Sequence, residues 1–419
     1  MTLGCFWVWG SRTPLWAGEM DAMHLLNLLQ KKGVITQEEA NELLNEVRSN
    51  AVNEKKEITT AVKEDIKKEA PKGSELPKAL QGFKFGSTIF SEWNAKSENN
   101  GGPSTNSFKL NRGYATLTKD FNPWLGMNIT SDLFTSVDAN DKGNGLELRL
   151  KYAYANLTLG GTTTQLGLIP TPSDAYDSAI WPYRVQGKNL LDDLGIQASA
   201  DLGVSNQGVF GGYMDDDYLK FASKPYAGKW GGYWLGIFNG AGYDQTEANT
   251  DKAISGLVYF RPAPMVPILK GLQLAYYGNY GKSNSNFTAA GRTSDYPDWQ
   301  VNMAQISLQH QLFTLMGQYY WGKGTKTSTE DNSRSGYLAS GFLCIPGAEK
   351  LRVFGKYYYY DPNTDKSNDG YTTYVAGLSY DVSKEFMPFV AYEHRDYESK
   401  SVSGKNNYDM FQVGFQFKF

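Results

Sequence analysis

The 419-residue sequence contains only two cysteines and three histidines. Cys5 and Cys344 lie far apart, so they form neither a disulfide framework nor a cluster of metal ligands. No nucleophile elbow, zinc-ligand spacing or glycine-rich phosphate loop occurs, and we therefore expect neither an enzyme nor a cofactor. No run of about 18 apolar residues is present, which excludes membrane-spanning helices. A net charge of −3 argues against a nucleic-acid-binding protein.

The end of the chain has the periodicity of a strand with one apolar face. Phe411, Val413, Phe415, Phe417 and Phe419 alternate with polar or small residues. A soluble sheet would need a further layer over that face, whereas lipid covers it in a transmembrane barrel. The many Tyr and Trp residues suit membrane interfaces. This end resembles the assembly signal of bacterial outer-membrane proteins, which implies that the barrel-assembly machinery recognises Phe415, Phe417 and Phe419.

From Gln81 onward, segments of about ten residues alternate with polar connections. Short turns alternate with long loops, as in outer-membrane barrels, and an even strand count places both chain ends on the short-turn side. We predict an all-β, transmembrane antiparallel β-barrel over 81–419 with sixteen strands. Within the stretch 203–228, interpreted as an irregular insertion, Val209–Tyr213 could raise the count to eighteen. The predicted strands are 82–94, 106–118, 124–136, 146–158, 162–169, 193–202, 229–239, 252–261, 270–282, 299–310, 312–323, 335–344, 350–361, 371–381, 386–397 and 407–419.

The residues before the barrel are different in composition. Residues 1–20 are interpreted as the remnant of a signal peptide, with an ordinary N-terminal tail as the alternative. Residues 21–70 are predicted to be helical, and Thr36 with Glu39 forms a capping box. The helix that follows is either a periplasmic coiled coil, which would assist trimerisation or contact the cell wall, or a solvated helix without a partner. Residues 71–80 form a linker.

The connection 170–192 combines proline with bulky aromatic residues. A loop in solvent rarely needs Ile180, Trp181 and Tyr183 together. We predict that this connection folds into the barrel and narrows the pore; the alternative is an external loop packed on a neighbouring subunit or loop. The candidate constriction-loop residues are Asp174, Asp177, Trp181, Tyr183, Arg184 and Lys188.

Strand alternation also assigns residues to the lumen. A charge on the lipid face near the bilayer midplane costs about 2–4 kcal/mol, so charged residues between apolar ones are assigned inward. The residues assigned outward include Leu146, Leu148, Leu150, Tyr152 and Tyr154 in one strand and Leu194, Ile196, Ala198 and Leu202 in another. The candidate pore-lining residues are Glu147, Arg149, Lys151, Arg352, Lys356, Glu393 and Arg395, with Lys418, Gln197 and Asp201 also inward.

Cations outnumber anions in this inward set. A cationic lumen raises the local anion concentration and would favour anion entry. The charges could instead pair with each other, as the spacing of Arg149 with Glu147 and of Arg395 with Glu393 allows, and the constriction loop adds Asp residues. A weak anion preference, no preference and a cation preference all stay open.

Three motifs carry a family resemblance: Phe108 to Tyr114 in the second predicted strand, Gly167-Leu168-Ile169-Pro170, and Tyr233 to Gly240. With them, the barrel region resembles the phosphate-selective porin O and P family of outer-membrane porins. The resemblance implies a trimeric channel that passes phosphate or polyphosphate by an arginine ladder and constriction-loop lysines. Of that equipment, the constriction loop here carries Arg184 and Lys188.

We therefore expect an outer-membrane porin of a Gram-negative bacterium, with its N-terminal segment in the periplasm. It would allow passive diffusion of small hydrophilic solutes and ions, with a mild anion preference and phosphate as one candidate. The expected partners are outer-membrane lipid, two further copies in a homotrimer, the barrel-assembly machinery and the permeant solutes, but no nucleic acid. The alternative is a barrel scaffold or envelope tether, for example the sheath of an electron-transfer conduit, and conductance would separate the two.

Overall fold

The computed structural model describes residues 81–99, 102–135, 145–220, 222, 226–286 and 295–419, together with 29, 31–36, 38–39 and 43 nearer the N-terminus. The chain divides into two compact units, Met1–Gln81 and Gly82–Phe419. The predicted signal-peptide remnant, the linker and most of the predicted helical segment therefore lie outside the described residues. None of the described helices is both long enough and apolar enough to cross a membrane.

Within the first unit, the predicted capping box is present. Thr36 N donates a hydrogen bond to Glu39 Oε2 at 2.8 Å, and Glu39 N donates one to Thr36 Oγ1 at 3.2 Å. This reciprocal pair satisfies two backbone donors at the start of a helix. Most of the helix that would follow lies outside the described residues, so the coiled coil and the solvated helix both stay predictions.

The second unit is a closed antiparallel barrel in which each strand pairs with its neighbours in the chain and the first pairs with the last. The count of sixteen strands confirms the predicted fold class for the described residues. The strands are β1 (Phe83–Glu98), β2 (Ser104–Asn122), β3 (Leu125–Thr135), β4 (Leu146–Leu159), β5 (Thr162–Pro170), β6 (Ala200–Phe210), β7 (Gly231–Phe238), β8 (Ala253–Phe260), β9 (Leu272–Lys282), β10 (Asp298–His310), β11 (Phe313–Lys323), β12 (Ser333–Ile345), β13 (Ala348–Asp361), β14 (Tyr371–Tyr380), β15 (Phe386–Tyr397) and β16 (Tyr408–Lys418). The helices of this unit are α1 (Pro172–Ile180), α2 (Leu190–Asp193) and α3 (Lys400–Ser403), with 3₁₀ turns at Tyr218–Lys220 and Pro267–Leu269.

The two edges of the barrel carry different connections. β1 begins and β16 ends at the same edge, where Thr88 pairs with Lys418, and we name it the terminal edge. The opposite edge, the loop edge, carries the longer polar connections. Strands meet at the terminal edge through short turns, except for the connections 211–230 and 261–271. The short turns are 123–124, 160–161, 311–312, 346–347 and 381–385.

Side chains alternate between an outer and an inner face, as the periodicity of the last strand predicts. In β16, Phe411 and Val413 are exposed on the outer face, whereas Gln412 between them is buried. Phe415 and Phe417 continue the outer face, since they pair with Ser91 and Ile89 of β1 in the same register. Their recognition by the assembly machinery stays a prediction.

The predicted sixth strand, 193–202, is displaced in the structure. β6 covers 200–210, so it includes all of 203–210, the first part of the stretch 203–228 that was interpreted as an irregular insertion. Ile196 and Ala198, predicted to face lipid, are buried inside the barrel. Their apolar alternation imitates a strand, but Gly195 adopts φ +67°, which turns the chain before the strand begins. β6 therefore already contains Val209 and Phe210, which the sequence suggested as part of an additional strand.

A β-bulge in β4 overturns a second face assignment. Leu146, Leu148 and Leu150 are exposed on the outer face, as predicted. The register against β3 then shifts by one residue at Lys151, and an inserted residue reverses the alternation that follows it. Tyr152 and Tyr154 consequently lie inward, and Tyr154 packs against the buried aromatic residues of the lumen.

Candidate functional site

Residues 171–199, which join β5 to β6, lie inside the barrel and are named the infolded segment. Tyr176 OH donates a hydrogen bond to Gln273 of β9 at 3.0 Å, and Gln318 of β11 donates one to Asp177 at 2.9 Å. Gln186 donates to Glu393 of β15 at 3.0 Å. These strands are remote from β5 and β6 around the barrel, so the segment must cross the lumen to reach their inner faces.

One side of the infolded segment is packed with aromatic rings. Tyr183 stacks on Phe354 with centroids 4.1 Å apart, and its hydroxyl lies 2.8 Å from Ser379 Oγ. Trp181 packs beside Tyr183 at 5.1 Å. Such ring pairs add about 0.5–1.5 kcal/mol each beyond the burial of their area. We name the buried cluster between the infolded segment and strands β7–β14 the aromatic half of the lumen.

The connection 211–230 enters the aromatic half from the terminal edge. Tyr226 meets Tyr176 of α1 edge to face at 4.8 Å and Tyr259 of β8 at 5.8 Å. All three rings are buried. The lumen beside β7–β9 is therefore filled from both edges of the barrel.

The other side of the infolded segment faces a cavity of about 880 Å³, which we name the charged cavity. Its opposite wall is built by β2, β3 and β4. Cations outnumber anions among its lining residues, and Phe134 and Tyr243 add aromatic surface. The charged lining residues are Lys109, Arg112, Arg149, Arg184, Lys188 and Lys326, with Asp192, Asp193 and Asp244.

Two arginines of the barrel wall share one carboxylate. Arg112 and Arg149 each bind Asp132 Oδ2 at 3.1 Å, and Asp132 is fully buried. The guanidinium of Arg149 also lies 4.0 Å from the ring of Phe134 and 4.6 Å from that of Tyr243. The group is thus held in place and keeps one net positive charge beside the cavity.

The infolded segment supplies the facing charges. Arg184 binds Asp174 at 2.5 Å and Asp192 at 3.4 Å, and Lys188 binds Asp192 at 3.4 Å. Burial would raise the pKa of the Asp192 carboxyl, but the surrounding cations Lys188, Arg184, Lys151 and Arg112 hold the pKa below its ordinary value. Asp192 is therefore ionised, and its charge is compensated by these neighbours.

Lys151 lies directly behind this wall. Its ammonium donates to Ser199 Oγ and lies 4.6 Å from the ring of Tyr243 and 5.5 Å from that of Tyr152. Within the described part of the chain, Lys151 makes no ion pair with a carboxylate. Hydroxyl and ring contacts hold this buried ammonium in place, and its charge acts on Asp192 from a distance and adds to the positive potential of this wall.

Four further predicted lumen residues lie on β13 and β15. Arg352 pairs with Asp381, and Lys356 is buried. Glu393 accepts hydrogen bonds from Gln186 and Tyr408, and Arg395 approaches Asp193 of the infolded segment at 3.6 Å. The structure therefore separates Arg149 and Lys151 from the others instead of bringing all seven candidates together. Of the seven candidates, Arg149 lines the charged cavity and the other six do not; Gln197, also assigned inward, lines it as well.

Sequence reasoning missed Arg112 and Asp132, which build the wall of the charged cavity. Arg112 belongs to the Phe108–Tyr114 motif that carries the family resemblance, so a signal was present. A bulge at Asn111 shifts the register of β2 against β1, and simple alternation across it does not predict the direction of Arg112.

No family model matches the sequence, and the search of curated proteins gives no match. Solved structures do match. An anion-selective porin from Comamonas acidovorans has a TM-score of 0.57 and 14% identity over 80% of this chain and 99% of that chain. OprB from Pseudomonas putida has a TM-score of 0.55 and 10% identity over 81% and 94%.

The in-vitro folded trimer form of OmpT, an outer-membrane protein of Vibrio cholerae, has a TM-score of 0.51 and 12% identity over 80% of this chain and 99% of that chain. Likeness at such low identity speaks for the fold alone. It confirms the predicted resemblance to porins at the level of the fold, but not the phosphate-selective family. Residues 82–419 therefore have a porin-like β-barrel fold.

Proposed function

We propose that the protein is an outer-membrane channel for passive diffusion of small hydrophilic solutes and ions, with a mild preference for anions. The observation that carries this function is the charged cavity, where Arg112 and Arg149 share the single carboxylate of Asp132. An excess of fixed positive charge beside a water-filled passage raises the local concentration of anions. One of the structural neighbours is an anion-selective porin, which agrees with this preference.

The passage runs beside the charged cavity rather than through the aromatic half. Trp181, Tyr183 and Phe354 are buried there and pack against one another. Taking an ion out of water without compensating ligands is costly, so the aromatic half forms a barrier. Permeating solutes pass between the infolded segment and β2–β4.

Phosphate is one candidate solute. Guanidinium groups bind phosphate oxygens in a bidentate fashion, and Arg112, Arg149 and Arg184 all line the charged cavity. Each of them already binds an aspartate, which weakens a stationary phosphate site and favours passage of anions in general.

The assembly and location follow the same proposal. Three copies form a homotrimer in the outer membrane of a Gram-negative bacterium, with the terminal edge and the N-terminal segment on the periplasmic side. The trimer form of one structural neighbour supports this stoichiometry. The barrel-assembly machinery reads Phe415, Phe417 and Phe419 during insertion.

Reversal potentials in planar bilayers test the anion preference. In a salt gradient, the wild-type channel should show a reversal potential with the sign expected when anions permeate more readily than cations. The double variant Arg112→Gln, Arg149→Gln should reduce the anion-to-cation permeability ratio by about two-fold or more, because fixed positive charge beside the passage is lost. Lys84→Gln is the matched control, since Lys84 forms an exposed ion pair with Asp120 near the terminal edge. A wild-type potential of the cation sign would refute the preference.

A barrel scaffold or envelope tether is the second candidate, because the aromatic half already fills much of the lumen. Such a barrel would give no stepwise conductance in planar bilayers. Stepwise currents from the purified wild-type protein would exclude a purely structural role, and their consistent absence would favour it over the channel.

A further inference from the structure

Two long connections at the terminal edge hold each other in place. Arg261 is fully buried and donates to the carbonyl oxygens of Gly228 and Tyr226, each at 3.2 Å. It also donates to Lys270 O and Tyr218 OH, each at 2.7 Å. A buried guanidinium with this many partners fixes the backbone of both connections. The turn between β8 and β9 is therefore held in a fixed conformation.

That turn presents apolar side chains at its surface. Met265 is 70% exposed and Ile268 is 54% exposed, and Val266 and Leu269 are exposed as well. We name residues 262–269 the apolar tip. Removing apolar side chains from water is favourable, so a fixed turn that exposes four of them is suited to an apolar environment.

The apolar tip continues the outer wall of the barrel. Phe210, Trp230 and Phe260 are exposed on that wall at the terminal edge. Their strands are linked there, since Trp230 N donates to Phe210 O at 3.1 Å and Arg261 N donates to Trp230 O at 3.0 Å. A row of aromatic rings at the end of the strands is typical of the membrane interface. The apolar tip begins two residues beyond Phe260.

The reach of the apolar tip from the aromatic row matches a position in the lipid–water interface. Half of the tip, fully extended, reaches at most about 13 Å from the aromatic row. The polar interface of one leaflet is about 5–8 Å thick. A tip that extends obliquely to the membrane normal, rather than straight along it, therefore remains within this layer. The neighbouring connection 211–230 has a polar surface instead, because Asp216 and Asp217 are exposed to water there.

We propose that the apolar tip inserts into the lipid–water interface of the leaflet at the terminal edge and anchors the β8–β9 side of the barrel to phospholipid. The tip can reach lipid only if the barrel lies in a bilayer, so the inference rests on that part of the proposed function and not on what the channel conducts.

Fluorescence quenching tests the anchor in proteoliposomes of phosphatidylcholine and phosphatidylethanolamine. With Cys5 and Cys344 replaced by serine and alanine, an environment-sensitive probe is attached at Met265→Cys or Ile268→Cys. Nitroxide groups on the lipid headgroups should quench these probes about two-fold more than a probe at Asp217→Cys, because only the former lie in the interface. A probe at Val258→Cys, on the outer wall, should be quenched by nitroxides on the acyl chains.

The outcomes separate the two proposals. Quenching at Val258→Cys without extra quenching at Met265→Cys places the barrel in the bilayer and refutes the anchor. A probe at Met265→Cys that is shielded from both lipid and aqueous quenchers shows that protein covers the tip, which also refutes it. If nitroxides on the acyl chains do not quench the probe at Val258→Cys, membrane insertion itself is refuted, and the proposed channel with it.

Discussion

The two sides of the infolded segment differ in chemistry although one stretch of chain builds both. On the aromatic half, Tyr183 and Trp181 pack against Phe354 and the inner wall of β12–β14. On the other side, Arg184 and Lys188 of the same segment face the charged cavity. The comparison shows how one barrel can combine packing with a polar cavity: one half of the lumen supplies packing, and the other half carries charged side chains around a cavity.

The aromatic half explains how the segment is held across the lumen. Packed rings gain burial and ring contacts that a segment in water would lack. Hydrogen bonds from Tyr176 and Gln186 then fix its position against strands on the far side. The charged side contributes less to packing, and its ion pairs position cations beside the charged cavity.

The largest expected effect comes from opening the aromatic half. Phe354→Ala should destabilise the barrel by about 3–5 kcal/mol, because it removes the ring on which Tyr183 stacks and leaves a cavity. Urea-induced unfolding in detergent micelles measures the loss. Val353→Ala is the matched control, since Val353 is the neighbouring residue on the outer face. Equal losses in the two variants would contradict a packed interior in this half.

Asp177 gives a smaller, pH-dependent effect. Burial raises the pKa of its carboxyl to about 7 from an ordinary value of 3.8. A group whose pKa is raised on folding stabilises the protein below its unfolded pKa, and this contribution disappears as pH rises through the folded pKa. The infolded segment should therefore lose stability between about pH 4 and pH 7, by on the order of 2–4 kcal/mol in total.

Asp177→Asn is the variant that isolates this effect, because its amide oxygen can still accept the hydrogen bond from Gln318. Unfolding midpoints of wild type and variant are compared across that pH range. The difference between the two should grow in favour of the variant toward neutral pH. A difference that does not change with pH would show that Asp177 does not titrate in this range.

Much of the barrel was predictable, because alternation is local. The last strand and the outward Leu146, Leu148 and Leu150 follow directly from periodicity, as lipid selects apolar residues at every second position. The infolding of 170–192 was predictable from Trp181 and Tyr183, which need burial.

The errors arise where one residue breaks the period. The bulge at Lys151 turned Tyr152 inward, and the bulge at Asn111 concealed Arg112. Both bulges are set by pairing with a neighbouring strand, which local sequence does not record. Ile196 was misplaced for another reason: a buried segment inside a barrel is as apolar as a strand facing lipid.

The most direct test of the central claim locates the ion path. Single cysteines are introduced at Thr135, which lines the charged cavity, and at Val301, which is buried in the aromatic half, in a background without Cys5 and Cys344. Conductance in planar bilayers is recorded before and after adding a bulky thiol reagent. The reagent should reduce the current through Thr135→Cys channels and leave Val301→Cys channels unchanged. Block at Val301→Cys with no effect at Thr135→Cys would contradict conduction beside the charged cavity.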